Sequence, residues 1–189
     1  ISIVESPDFN ENSVGIWENF FKAPAEGVDI PTETQKRIAN FLRLAFRGPV
    51  ALSTIDRYTN YAIKKLEGGM RYNETMKKIA SAVLSSPLFL YHYNPNEPKL
   101  RPFAIASNLS FFLWGSSPDT KLLELADNGE LVKPEILEKT IRRMLTDPRI
   151  ERFLDSFPSQ WMQLENILAA TPDPKLHRYF SLDKQHPAS

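Results

Sequence analysis

His92, set between Tyr91 and Tyr93, is the side chain in this sequence best suited to carry chemistry. An imidazole titrates near neutral pH and binds metals, so at this position it suits an axial haem ligand or a general base. Either role needs company, because a metal centre takes several converging donors and a base needs a reacting group within hydrogen-bond reach. No such neighbour stands nearby in sequence, and a single histidine beside the proline-containing stretch 94–99 reads as a boundary residue. His177 and His186 fall near a ragged C-terminal end and rank below it.

Carboxylates gather at Asp119, Glu124, Asp127 and Glu130 around one short helical stretch, a grouping that suits an acid/base pair or a calcium site. Asp119 follows Pro118 at a helix start, where a carboxylate accepts unpaired amides and is favoured by the helix dipole, so capping is its expected role. Asp147 before Pro148 reads the same way. Arg142 and Arg143, with Arg149 and Arg152, make a basic patch fit for a phosphate or a neighbour's acidic face. Against that, Glu135, Glu138 and Glu151 point to solvated helix faces with pairs inside each helix. Arg142, Arg143 and the N-terminal aromatics Trp17, Phe20 and Phe21 are the candidate interaction residues.

The runs Phe111-Phe112-Leu113-Trp114 and Phe153, Phe157, Trp161 suit the lining of a cofactor pocket, yet their helical spacing makes core packing the default. A carbohydrate- or ligand-binding module would instead need solvent-exposed aromatics at Trp17, Trp114 or Trp161. A phosphate-binding glycine loop, a nucleophile elbow and a His-Glu-x-x-His motif are all absent from the sequence. Zero cysteines rule out disulfides, thiolate metal sites, thiol nucleophiles and covalent haem attachment within these residues. With 23 basic and 23 acidic residues the formal charge is zero, so no global field draws the chain to nucleic acid or to an anionic membrane. The most apolar run, 105–114, is interrupted by Ser107, Asn108 and Ser110 and is too short for a membrane span.

Scarce glycine (7) and abundant proline (15) suit helices joined at stiff corners. An irregular arm over 1–31, with a short helix around 14–21, precedes a Thr32-x-x-Gln35 capping box and a stripe of Ile38, Phe41, Leu42, Ala45 and Phe46. Ser53 to Asp56 offers a second cap, Asn73 opens a third helix, and 88–93 is either a helical turn or an extended piece. Beyond the 94–101 boundary, prolines at 102, 118, 134 and 148 each open a helix, and Pro158 should kink or split the last one. The expected fold is all-α, an irregular bundle of seven or eight helices in two subdomains, 32–93 and 101–180, with a tail at 181–189. A start at Ile1, without Met, reads as a processed product or a fragment.

Five phrases occur in order: FLRLAFRGPV (41–50), AVLSSPLFLY (82–91), LSFFLWGSSPD (109–119), MLTDPR (144–149) and Gln160-Trp161. Together, over about 33–180, they resemble two adjacent domains of unknown function, 1595 and then 1592, of large planctomycete-type cytochrome-c-associated proteins. The resemblance implies an exported, periplasmic or cell-surface setting, protein partners that include haem-c proteins, and haem c carried outside this cysteine-free chain. Asn108 stands where the family commonly has arginine, and Pro158 interrupts a normally small and helical stretch. The leading expectation is a non-catalytic structural or interaction module. The alternatives are a part of a haem-dependent oxidoreductase, contributing His92 or the aromatics to a pocket, and a carbohydrate- or ligand-binding module.

Overall fold

Prolines and short polar side chains set most of the helix starts among the described residues, with those at Leu52 and Tyr72 as exceptions. The computed structural model describes residues 6, 9–12, 14–91 and 97–162. Helix α1 (Ile30–Phe46) is capped by Asp29, whose carboxylate accepts the Thr32 amide at 3.2 Å. The expected cap at Thr32 is displaced because Pro31, with φ fixed near the helical value and no N–H to satisfy, extends the helix back to Asp29. Helix α2 (Leu52–Glu67) starts at Ala51 with no side-chain cap, and Asp56 instead accepts a hydrogen bond from Gln35 of α1 at 3.2 Å. Helix α3 (Tyr72–Leu84) and the single turn α4 (Pro87–Leu90), capped by Ser86 Oγ, complete the first half.

The second half holds α5 (Arg101–Trp114), α6 (Thr120–Asp127), α7 (Pro134–Leu145) and a 3-10 turn (Pro148–Ile150) that runs into α8 (Glu151–Trp161). Pro118 falls just before the cap residue Asp119 rather than in the first turn of α6. Pro158 does not split α8, which continues to Trp161. Its missing N–H deprives only the Leu154 carbonyl of a helical donor, and Leu154 is 56% exposed, a surface position where the loss is small because solvent is at hand. Among the described residues the fold is all-α, with no strand. None of their helices is long and apolar enough to cross a membrane.

Two apolar cores form, one on each side of the boundary. In the first, α1 and α3 bury Ile38, Leu42, Phe46, Met76, Ile79 and Val83, and α2 adds Ala62. A π-helical turn (Trp17–Phe21) closes that core with Phe20 and Phe21, and Trp17 packs half-buried beside them. Phe20 and Phe21, offered by the sequence as contacts for another molecule, are therefore core residues of this chain, and Trp17 packs against them as part of the arm. Phe21 meets Phe9, Trp17 and Phe20 at ring separations of 4.8–5.3 Å, edge-on to Phe9 and Phe20 and tilted to Trp17. In the second core α5, α6 and α7 bury Leu113, Trp114, Leu122, Leu123 and Met144.

Helix α1 ends at Arg47, which takes the left-handed conformation (φ 59°, ψ 28°) usual for glycine at this position. It is the single non-glycine residue with positive φ among those described. A side chain there costs about 1–2 kcal/mol of backbone strain.

Candidate functional site

Charged and aromatic side chains converge at the junction of α5, α6 and α7. Asp119 caps α6 through the Leu122 amide at 2.8 Å, as its place after Pro118 predicts. The same carboxylate accepts from Arg143 of α7 at 2.8 Å and from Arg149 of the 3-10 turn at 3.4 Å. Arg149 also binds Asp147 at 2.7 Å, and its guanidinium lies 3.4 Å from the centre of the Trp114 ring. The fully buried indole donates to the Met144 carbonyl at 3.1 Å. This knot is a tie between helix ends, since each charge in it is already matched by another and the aromatic face is covered by an arginine.

The knot also sets an acid limit on stability. Burial pushes the Asp119 carboxyl up, but the hydrogen bonds from Arg143 and the Leu122 amide outweigh it and hold the group below its ordinary value. Asp147 is held well below the usual range by the Arg149 side chain and then by the Arg149 amide. For carboxylates lowered in the folded state the stabilisation is complete above the unfolded pKa, near 3.9, and is lost as pH falls through the folded value. The urea midpoint should therefore decline below about pH 4, and Asp119→Asn should flatten that limb. An acid limb identical in wild type and variant would show that this carboxylate is not linked to folding.

The second constellation is an exposed aromatic face. Phe153 and Phe157 of α8 stack at 4.9 Å, Phe157 and Trp161 continue the row at 6.2 Å, and Phe112 of α5 packs 5.1 Å from Phe153. Core packing is the default for both aromatic runs; it holds for Leu113 and Trp114, Phe153 is half-buried, and it fails for Trp161 at 74% exposure, Phe112 at 57% and Phe157 at 41%. Phe112 also borders an apolar groove of about 670 Å³ between α5 and α7, walled by Ile105, Leu109, Phe111, Leu137 and Ile141. Asn108 is the one polar residue of that wall. The arrangement suits adhesion to another apolar surface.

His92 falls outside the described residues, as do His177 and His186. Arg142, a candidate contact residue, is exposed and pairs with Glu138 one turn away at 2.7 Å, whereas Arg143 is tied into the knot. Glu130 pairs with Lys133, and Asp127 with Arg43 of α1. Among the described residues no three histidine, cysteine or carboxylate side chains are placed to hold a metal ion. Sequence reasoning singled out Arg143 and Asp119 separately but missed that they meet, since 24 residues separate them.

Residues 33–94 match the family described as protein of unknown function DUF1595 (PSD5), and residues 100–188 match protein of unknown function DUF1592 (PSD4). No curated protein and no solved structure matches the chain. The boundary between the two matches falls where the two cores divide, and the five ordered phrases lie within them: the chain belongs to the proteins that carry a DUF1595 domain followed directly by a DUF1592 domain.

Proposed function

We propose that this chain is a non-catalytic interaction module, an accessory subunit or scaffold of an exported assembly whose redox centres are c-type haems held by partner proteins or adjoining domains. The exposed aromatic face carries the reading. Phe112, Leu154, Phe157 and Trp161 offer adjoining apolar surface. Patches of this kind on a folded domain mark contact sites, and aromatic anchors dominate the energetics of such contacts. The haem-c and exported setting rests on the resemblance carried by the five sequence phrases.

Affinity purification of the native assembly with a pyridine haemochrome assay tests this. Wild type should bring down a haem-c protein, and Phe157→Glu combined with Trp161→Glu should cut its recovery by roughly tenfold or more while circular dichroism stays unchanged. A wild-type preparation free of haem protein would sink the reading.

Trp161, at 74% exposure, favours one alternative, a carbohydrate- or ligand-binding module that stacks a sugar on the indole. Calorimetric titration with soluble oligosaccharides separates the two. Binding heat that disappears in Trp161→Ala supports the alternative, and its absence in wild type removes it.

A further inference from the structure

Arg47 occupies a backbone conformation that glycine would adopt without strain, although Gly48 is the next residue. The side chain is what this position gains from the exchange. It is 3% exposed, and it donates to the Tyr91 carbonyl after α4 at 2.9 Å and to Ala45 at 3.3 Å. The guanidinium carbon sits 5.7 Å from the ring of Phe89, in the first half, and 5.7 Å from the ring of Phe111, on α5 of the second half. One turn earlier on α1, Arg43 forms an ion pair with Asp127 at the end of α6. Residues four apart share a helix face, so a single edge of α1 reaches into the second half twice.

We infer that Arg43 and Arg47 form an interdomain clasp that holds the DUF1595 and DUF1592 domains in one relative orientation. Each domain has its own apolar core, and without a sizeable apolar interface relative motion is the ordinary expectation for two such domains. Arg47 stands in for that interface with a cation that meets one aromatic ring from each side of the boundary, shielded from water and therefore little screened by salt. Arg43 adds a pair that is about one-third exposed at either partner and so responds to ionic strength. The clasp stands on this geometry alone and is independent of the proposed partner. Its consequence for that partner is that exposed residues of the two domains, among them Tyr91 of the first and Phe112 of the second, keep a fixed relative placement.

The chain has no cysteine, so two can be introduced cleanly for spin labels, at exposed Lys64 on α2 and exposed Lys139 on α7. Double electron–electron resonance on the labelled full chain should give one narrow distance distribution. Arg47→Gly removes the side chain while relieving the backbone, so α1 keeps its end and the distribution should widen roughly twofold or more. Asp127→Asn, which neutralises one carboxylate at a partly exposed site, should widen it less and make it insensitive to added salt. A distribution that is already broad in wild type, or one that stays narrow in both variants, overturns the clasp. Should Arg47→Gly lose helical signal, Arg43→Gln and Asp127→Asn decide by the same readout.

Discussion

Replacing Trp114 with alanine should cost the second domain about 3–5 kcal/mol, the largest single loss expected for that half of the chain. The indole is fully buried and ends α5, so truncation empties a space that α6 and α7 close around. It also removes the donor to the Met144 carbonyl and the ring face beneath Arg149, leaving a guanidinium over a void. A domain's whole stability is about 5–15 kcal/mol, so urea unfolding followed by circular dichroism should show the second half melting well before the first. Trp114→Phe keeps a ring for the arginine and loses the N–H, and should cost nearer 1 kcal/mol plus the volume difference. A loss below about 1 kcal/mol in Trp114→Ala would mean that the knot stands without its centre.

The second large effect concerns the N-terminal aromatics. Phe21→Ala should destabilise the first domain by about 3–5 kcal/mol, because Phe21 is 1% exposed in a nest of three other rings packed on α3. If the arm instead served an outside partner, the same substitution would leave the unfolding midpoint in place and abolish binding. Thermal unfolding alone therefore distinguishes the two roles. Trp17→Ala, at a half-buried ring, should lie between these outcomes.

Helix positions were largely legible because apolar residues recur at helical spacing and prolines mark the corners. The second-half starts at Arg101 and Pro134 fall at or next to the expected ones. The cap of α1 is ambiguous in sequence because Thr32 and Asp29 are both good local signals and Pro31 decides for the earlier one, whereas α2 starts after Ala51 without the side-chain cap that Ser53 offers. Periodicity likewise predicts that Phe153, Phe157 and Trp161 share a face, and they do. It carries no information about what covers that face, so burial was the wrong inference from a correct pattern. Arg47 was invisible for a different reason: with Gly48 beside it, nothing local marks the arginine as the left-handed residue. The knot around Asp119 joins side chains from α5, α6, α7 and the 3-10 turn, and convergence of that kind belongs to tertiary packing rather than to any window of sequence.

The π-helical turn at Trp17–Phe21 has a bearing on how the chain is made. Most helix packing here joins sequence neighbours, α1 with α2, α2 with α3, α5 with α6, and such local contacts assemble quickly. The turn is different, since its docking site includes α3, which leaves the ribosome only after α1 and α2. Until then Trp17, Phe20 and Phe21 have only α1 to pack on, where Phe20 stacks on Phe41, and the side that faces α3 is the kind of sticky surface that folding helpers recognise. Closure of the first domain therefore waits on α3, and an arrest of translation before Tyr72 leaves a nascent chain whose aromatic cluster is covered on the α1 side alone.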